Sequence, residues 1–204
     1  MTITAGTTTP TSHWTGWPHP DHLAEGSVVT MGVFDGFHRG HQALVARTRR
    51  RAAALGVPSV LLTFDPHPLL VTCPERAPRP LLSVHERVAA ATELGIDTAV
   101  VLPFDRVTAA TSAEAFVHDG LVAHLHPRHV VIGANFRFGH RGSGDPAFLT
   151  RAGDLGGFGV DVVPLLTTEG RTCSSTAVRS ALAEGDVATA RQLLGRSTGR
   201  VLGL

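Results

Sequence analysis

The stretch "VVTMGVFDGFHRGHQALV" (residues 28–45) decides the fold, because it joins an apolar run to a glycine-rich turn and then to a segment with helical spacing. Gly32 and Gly36 let the backbone approach a ligand closely and adopt turns that other residues resist. His38 and His41 stand at the start of the helix, where free N–H groups and the positive end of the helix dipole favour an anion. The spacing G-x-F-D-G-x-H-x-G-H therefore predicts a polyphosphate site. The alternative is an ordinary strand–glycine–helix turn in a chain that has 12 histidines.

Further apolar runs, bounded by glycine or proline, predict buried strands around this first one. The predicted strands cover residues 27–34, 59–64, 98–104, 129–133 and 160–166. Segments with helical spacing lie between them, over residues 40–56, 83–95 and 111–125. This alternation predicts an α/β domain with a parallel sheet and helices on both faces. Ligands of such sheets bind beyond the carboxyl ends of the strands, here the loops after Phe34, Phe64 and Gly133.

Helix starts are marked by side chains that can cap free N–H groups. Ser83 with Glu86, and Thr111 with Glu114, have the spacing of capping boxes. Residues 174–195 predict two short helices, the second capped by Asp186. We expect residues 1–26 to form a partly flexible tail and lead-in, residues 27–195 the domain, and residues 196–204 a C-terminal stub.

The amino-acid composition excludes several classes of function. All 18 basic residues are arginine, so the lysine of a Walker A loop, of a kinase or of a Schiff base is excluded. The net charge of +1 gives no reason to expect nucleic acid or a membrane as partner. No apolar run is long enough to span a bilayer, and no secretory signal begins the chain, so we expect a cytoplasmic protein. Cys73 and Cys173 lack metal-ligand spacing and are expected to be incidental thiols. No oligomeric state is predicted.

Three other stretches carry groups suited to nucleotide chemistry. In "SSTAVR" (174–179), hydroxyls begin a helix and Arg179 follows one turn later, although plain capping explains the same pattern. "TFDPHP" (63–68) offers an apolar wall for a flat ring, or is only a proline-stiffened loop. "GANFRFGHRGSGD" (133–145) offers an amide and two aromatic rings, or is only a glycine-rich surface loop.

Four motifs, in this order, resemble one family. They are G-x-F-D-G-x-H-x-G-H, T-F-x-P-H-P, G-x-N-F-R-F-G and S-S-T-x-x-R. They resemble the adenylyltransferase module of bacterial bifunctional riboflavin kinase/FMN adenylyltransferases (FAD synthetases), over roughly residues 14–200. The resemblance implies a Rossmann-like nucleotidylyltransferase fold and the reaction ATP + FMN → FAD + pyrophosphate, with Mg²⁺.

The resemblance also implies roles for individual residues. His38 and His41 would contact the triphosphate and stabilise charge on the α-phosphate, as catalytic residues together with Arg179. Further nucleotide contacts would come from Gly32, Phe34, Asp35, Gly36, Ser175 and Thr176, and Arg179 would hold the β- and γ-phosphates with the two hydroxyls. The flavin or other acceptor would lie against Phe64, Pro66, Pro68, Asn135 and Phe138. No residue is predicted to ligate a metal.

Two departures from the family leave alternatives open. The family more often has glutamate where this chain has Ala134, and its riboflavin kinase module is missing after residue 195, so no kinase activity is expected. The chain is then either cut at the domain boundary or a natural stand-alone enzyme. In the second case it must receive a ready-made phosphate-bearing acceptor, which need not be FMN. The second hypothesis is therefore a nucleotidylyltransferase that uses another phosphate or phosphonate acceptor, or CTP. A non-catalytic flavin- or nucleotide-binding protein is the third hypothesis.

Overall fold

A six-stranded parallel sheet forms the centre of the molecule. The computed structural model describes residues 12–195, 199 and 201, so most of the predicted C-terminal stub and residues 1–11 of the tail lie outside the described residues. The strand order is β1-β4-β3-β2-β5-β6. The strands are β1 (Ser12–Thr15), β2 (Ser27–Met31), β3 (Ser59–Asp65), β4 (Thr98–Pro103), β5 (Pro127–Gly133) and β6 (Gly159–Val163). A short antiparallel hairpin, β7 (Thr167–Thr168) and β8 (Arg171–Thr172), follows.

Helices cover both faces of the sheet, as predicted. They are α1 (Arg39–Leu55), α2 (Pro68–Thr72), α3 (Val84–Glu93), α4 (Arg106–Ala110), α5 (Ala113–Ala115), α6 (Ala123–Leu125), α7 (Pro146–Gly156), α8 (Ser175–Ala183) and α9 (Val187–Leu194). A π-helical turn over Phe116–Val122 joins α5 to α6. The α/β fold class with a doubly covered parallel sheet is therefore confirmed.

The apolar strands explain why both faces need helices. Every residue of β2 is buried, because neighbours on this strand point alternately to opposite faces and each face is covered. On one face Val29 packs in a cluster with side chains of the 113–125 segment and α7. On the other face Val28 packs in a cluster with side chains of α1 and α3. Strand β2 thus anchors two separate layers of core.

The five predicted strands are confirmed, with small differences at their ends, and the structure adds β1. Strand β1 pairs in parallel with β4 at the edge of the sheet, where the sequence predicted only a lead-in. The stretch "SHWT" lacks the apolar run of the other strands, so the pattern that predicted them does not apply to it. Trp14 and Trp17 nevertheless pack against the core.

Two of the three predicted helix caps are confirmed, and one is wrong by one residue. Ser83 and Glu86 form the capping box of α3, and Asp186 caps α9. The predicted cap Thr111 instead ends α4, where its hydroxyl donates to the carbonyl of Val107. Ser112, one residue later, accepts from the N–H of Ala115 and begins α5. Among the described residues, no helix is long and apolar enough to cross a membrane.

Helix α7 offers a direct test of the packing. We expect Leu149→Ala to lower the free energy of unfolding by about 2–5 kcal/mol, because Leu149 is fully buried and its loss leaves a cavity. Leu155 lies on the same helix but is 92% exposed, so Leu155→Ala should change stability by less than about 0.5 kcal/mol. Urea denaturation of both variants measures the difference, and equal losses would contradict the assigned faces.

Candidate active site at the carboxyl ends of the strands

A cavity of about 880 Å³ lies at the carboxyl ends of β2, β3 and β5, within the size range of small-molecule sites. Strand β2 has β3 on one side and β5 on the other, so the strand order reverses there, the point at which α/β sheets bind ligands. Ten of the predicted site residues line this cavity: Gly32, Phe34, His38, His41, Phe64, Pro68, Asn135, Phe138, Ser175 and Thr176. Asp35, Gly36, Pro66 and Arg179 are outside the lining.

Two helix N-termini converge on one end of the cavity. His38 occupies the N-cap position of α1, but its side chain makes no capping hydrogen bond. Ser174 caps α8 by accepting from the N–H of Ala177. A methyl group on Gly40 would lie only 3.2 Å from the carbonyl oxygen of Cys173, so glycine lets the two helix starts approach each other. Since each start exposes N–H groups and a positive dipole end, together they favour a polyanion.

The two histidines of α1 stack on each other at this end. Their ring centroids are 3.7 Å apart. His38 is only 6% exposed, and burial lowers its pKa to about 4. Burial also lowers the pKa of His41 well below its usual value, and the neighbouring His38 adds to the effect. Both imidazoles are therefore neutral at physiological pH.

Each histidine of the pair has one buried ring nitrogen that makes no hydrogen bond among the described residues. The Nδ1 atoms of His38 and His41 are buried without a partner among the described residues. Since buried polar atoms are usually satisfied, such atoms at a cavity wall point to a ligand. A neutral imidazole offers one N–H donor, which suits an oxygen of a bound phosphate.

Two phenylalanine rings that pack against His41 lie on a turn with unusual backbone angles. Phe34 and Phe37 have positive φ angles of 53° and 44°, a region that residues other than glycine rarely adopt. Both side chains are fully buried and stack with centroids 5.5 Å apart. The ring of Phe34 also lies 5.0 Å from that of His41. The turn after β2 therefore packs its aromatic side chains against the ring of His41.

Asp35 connects the segments around the cavity. Its carboxylate accepts hydrogen bonds from the N–H groups of Leu81 and Leu82 and from Nη2 of Arg179. Its carbonyl oxygen accepts from the hydroxyl of Ser175, at 2.7 Å. Asp35 thus joins the β2 turn to the start of α8 and to residues 81 and 82.

Arg179 faces this network and not the cavity. Its Nε donates to the carbonyl oxygen of Arg79 at 2.9 Å, and its Nη2 donates to Asp35. The predicted phosphate contact of Arg179 stays a prediction, while the observed contacts support a positioning role. The same holds for the nucleotide contact predicted for Asp35, whose carboxylate is already engaged.

Aromatic and proline side chains form the other wall of the cavity. Phe64 and Phe138 are 8% and 6% exposed, so both rings belong mainly to the core. Phe136 is the more exposed ring of its loop and stacks on Phe138, with centroids 5.7 Å apart and planes 19° apart. Pro68 lines the wall, whereas Pro66 is exposed and follows a cis peptide bond.

Some residues of the cavity were missed by the sequence analysis. Phe104, Leu165 and Leu166 line it, and so does His67, which lies inside a motif that the sequence analysis quoted. Phe104 directly follows β4, so the rule about carboxyl ends of strands would have found it. Leu165 and Leu166 follow β6, where the predicted strand extended to residue 166 and included them in its apolar run.

Comparison with known proteins agrees with this geometry. The family model "FAD synthetase" matches residues 21–177, which include the β2 turn, the aromatic wall and the start of α8. This chain belongs to the FAD synthetase family. The predicted resemblance to the adenylyltransferase module is thereby confirmed.

Curated relatives carry the name bifunctional riboflavin kinase/FMN adenylyltransferase. The relative from Pseudomonas fluorescens is 42% identical over 186 residues, which is 90% of this chain but 59% of the relative. A putative one from Geobacillus thermodenitrificans is 37% identical, over 83% of this chain and 90% of its own length. This FAD synthetase family chain thus spans about three fifths of the Pseudomonas relative.

Solved structures share the fold. A Streptococcus pneumoniae structure described as a macrolide-efflux protein superposes with a TM-score of 0.76 at 26% identity, over 91% of this chain and 62% of that one. The pantoate–β-alanine ligase of Francisella tularensis superposes with a TM-score of 0.54 at 10% identity, over 87% of this chain and 77% of the ligase. The nucleotidylyltransferase-like α/β fold is confirmed.

The buried imidazoles make stability depend on pH. In the unfolded chain His38 titrates near pH 6.5, whereas its folded pKa is about 4, so the unfolded chain binds more protons between these values. The free energy of unfolding should therefore fall as pH is lowered from about 6.5 to about 4. From pH 7.5 to 5.0, this single group accounts for a loss of about 2 kcal/mol.

Urea denaturation of the parent protein and of His38→Gln at both pH values measures that contribution. The parent should lose about 2 kcal/mol more than the variant, which lacks the titrating ring. His67 remains in both proteins and cancels in the comparison. His41 also remains, and because burial is the main cause of its lowered pKa, its contribution largely cancels. An identical pH response of the two proteins would show that His38 is not held neutral by burial.

The Asp35–Arg179 ion pair should matter more for stability than surface pairs do. We expect Asp35→Asn to lower the free energy of unfolding by on the order of 3 kcal/mol, because Arg179 keeps its charge, largely buried, without a counter-ion. The control is Asp119→Asn, whose carboxylate pairs with His118 but is 72% exposed, and which should stay within about 0.5 kcal/mol. Denaturation at pH 7.5 compares them, and a silent Asp35→Asn would refute the connecting role.

Proposed function

We propose that this chain is an FMN adenylyltransferase, which transfers AMP from ATP to FMN and releases pyrophosphate. The observation that carries the proposal is one cavity with two unlike ends. Two helix N-termini and a pair of neutral imidazoles form one end, and aromatic and proline side chains form the other wall. The first suits a triphosphate and the second suits a flat isoalloxazine ring. Membership of the FAD synthetase family supports the same pair of substrates.

The reaction requires alignment and charge stabilisation more than a protein nucleophile. A phosphate oxygen of FMN attacks the α-phosphorus of ATP in line with the bond to the β-phosphate. The new bond joins the FMN oxygen to the α-phosphorus, and the bond to the bridging oxygen breaks. Pyrophosphate leaves with that oxygen, so no protein group is modified.

The residues of the cavity divide these tasks. We assign to His38 and His41 the donation of N–H hydrogen bonds to the α-phosphate, where negative charge develops. Thr176 and backbone N–H groups in the first turn of α8 hold the β- and γ-phosphates, whereas the hydroxyl of Ser175 donates to the carbonyl of Asp35 and fixes this turn. Asp35 and Arg179 keep the two helix starts in position through their mutual ion pair.

Mg²⁺ belongs to the substrate in this proposal. Among the described residues, no group of three or more His, Cys, Asp or Glu side chains is arranged to hold a metal ion. The carboxylate of Asp35 already accepts hydrogen bonds from Leu81, Leu82 and Arg179. Mg²⁺ commonly binds through substrate phosphates and water, so it enters here as MgATP and offsets the charge of the triphosphate.

A different acceptor, or CTP in place of ATP, is the second candidate. Its motive was Ala134, where the family more often has glutamate. Ala134 is exposed and its N–H donates to the carbonyl of Val163, while Gly133 and Asn135 on either side line the cavity. Because the Ala134 side chain is outside the cavity lining, it gives no direct support for a different acceptor.

One substrate panel separates the candidates. The protein is incubated with Mg²⁺ and either ATP or CTP, against FMN and a set of other phosphate acceptors, while pyrophosphate is followed. Pyrophosphate and FAD from ATP with FMN would support the proposal. Pyrophosphate only from other pairs would support the second candidate, and flavin binding without turnover would indicate a binding protein.

The imidazole pair provides the mutational test. We expect His41→Ala to lower turnover of ATP and FMN by roughly 10²–10³, because loss of one donor to transition-state charge typically has that effect. The matched control is His118→Ala, which removes an imidazole that is 86% exposed on the 113–125 segment. Pyrophosphate release measures both, with circular dichroism as a check of folding. Near-normal turnover of His41→Ala would contradict the assigned role.

A further inference from the structure

His67 lies on the wall of the same cavity and has no part in the assignments above. It follows β3 in the loop that also carries Pro68, on the side of the cavity proposed for the flavin. Its side chain is half-buried and contributes to the cavity lining. His67 therefore lies beside the aromatic and proline side chains proposed to contact the flavin, which we call the flavin wall.

A backbone hydrogen bond fixes the protonation of this ring. The N–H of Leu69 donates to Nδ1 of His67 at 3.1 Å, which makes His67 the N-cap of α2. An accepting nitrogen keeps its lone pair, so the neutral ring carries its proton on Nε2. Burial lowers the pKa of His67, which favours this neutral form at physiological pH.

The donor on Nε2 has no partner in the described part of the chain. Among the described residues no side chain or carbonyl accepts a hydrogen bond from it, and it is on the ring edge opposite the capped one. His67 lines the cavity, so this N–H is available to a ligand there. Its direction is set by the cap, because rotation of the ring would break the bond from Leu69.

The charged groups around the ring suit an anion. Three of them act on His67 through space: the guanidinium groups of Arg179 and Arg87 and the carboxylate of Asp35. Asp35 is neutralised by its ion pair with Arg179, and Arg87 is buried, with Asp65 at 3.5 Å. The ring is therefore within electrostatic range of the Asp35–Arg179 pair that connects the two helix starts.

We infer that His67 recognises the phosphate of the acceptor: its Nε2–H donates to a phosphate oxygen of FMN and holds that phosphate against the α-phosphorus of ATP. The helix starts of α1 and α8 already serve the triphosphate, whereas His67 shares its loop with the flavin wall. This inference rests on the proposed function. No proton moves in the step, since the FMN phosphate attacks as an anion and His67 keeps its proton.

A consequence is discrimination between FMN and riboflavin, which differ only in the phosphate. Loss of one hydrogen bond to a charged group typically lowers affinity by roughly tenfold to a hundredfold. We therefore expect loss of the Nε2–H donor to weaken FMN binding by about that factor. The binding of riboflavin, and the KM for ATP, should be unaffected.

Two substitutions of His67 distinguish the capping role of Nδ1 from the donor role of Nε2–H. His67→Asn keeps an N-cap acceptor close to the position of Nδ1, because asparagine is among the best N-cap residues, but it lacks the donor at Nε2. His67→Gln has an amide N–H that reaches the position of Nε2 and gives up the cap. Quenching of flavin fluorescence gives the Kd of FMN and of riboflavin for each protein, and steady-state rates give KM values for FMN and ATP.

The expected result is weaker FMN binding and a raised KM for FMN in His67→Asn, with unchanged riboflavin binding and with substantial recovery in His67→Gln. Parental FMN affinity in His67→Asn would overturn the inference, and so would an equal loss of FMN and riboflavin, which would indicate a role in loop structure alone. Failure of the parent protein to bind either flavin or to form FAD would overturn the proposed function, and this inference with it.

Discussion

The hydrogen bonds of Asp35 are the interaction on which the geometry of the site depends. Through its carboxylate and carbonyl, this residue joins the turn after β2 to the start of α8, 140 residues later, and to Leu81 and Leu82. Arg179 completes the set with its ion pair. Because the carboxylate is almost fully buried, each of these bonds is shielded from water and is costly to lose. Two helix N-termini from opposite ends of the chain therefore meet at one cavity in a fixed orientation.

Burial then decides what the histidines can do in that cavity. A protonated imidazole would be unfavourable beside its neighbour in a poorly hydrated site, so the pKa values of His38 and His41 are lowered and both rings act as neutral donors. In the proposed reaction, a chain without lysine would take positive potential for a triphosphate from the helix ends, from the arginines that line the cavity and from Mg²⁺ carried by the substrate. The site is thus built from oriented dipoles, which need no rearrangement as charge develops.

Local patterns predicted most of the fold, and the failures have physical causes. The five apolar strands and the caps at Ser83 and Asp186 follow from short-range properties, namely burial of consecutive residues and hydroxyl or carboxylate groups beside free N–H groups. The edge strand β1 was missed because its pairing with β4 lies more than 80 residues away in sequence. The cap at Ser112 was assigned to Thr111 because either hydroxyl suits a helix start, and only the end of α4 distinguishes them.

The sequence by itself determined the residue types of the site: glycines after the first strand, two imidazoles at a helix start, hydroxyls at another, and aromatic residues after the remaining strands. These follow from spacing along one segment at a time. Only the tertiary structure decided which groups face the cavity, because exposure depends on segments far apart in sequence. It directed Arg179 and Asp35 to each other, left Phe136 partly exposed while Phe138 is buried in the core, and fixed the Nε2–H donor of His67. A linear pattern names the groups, but burial and long-range hydrogen bonds determine their orientation and charge.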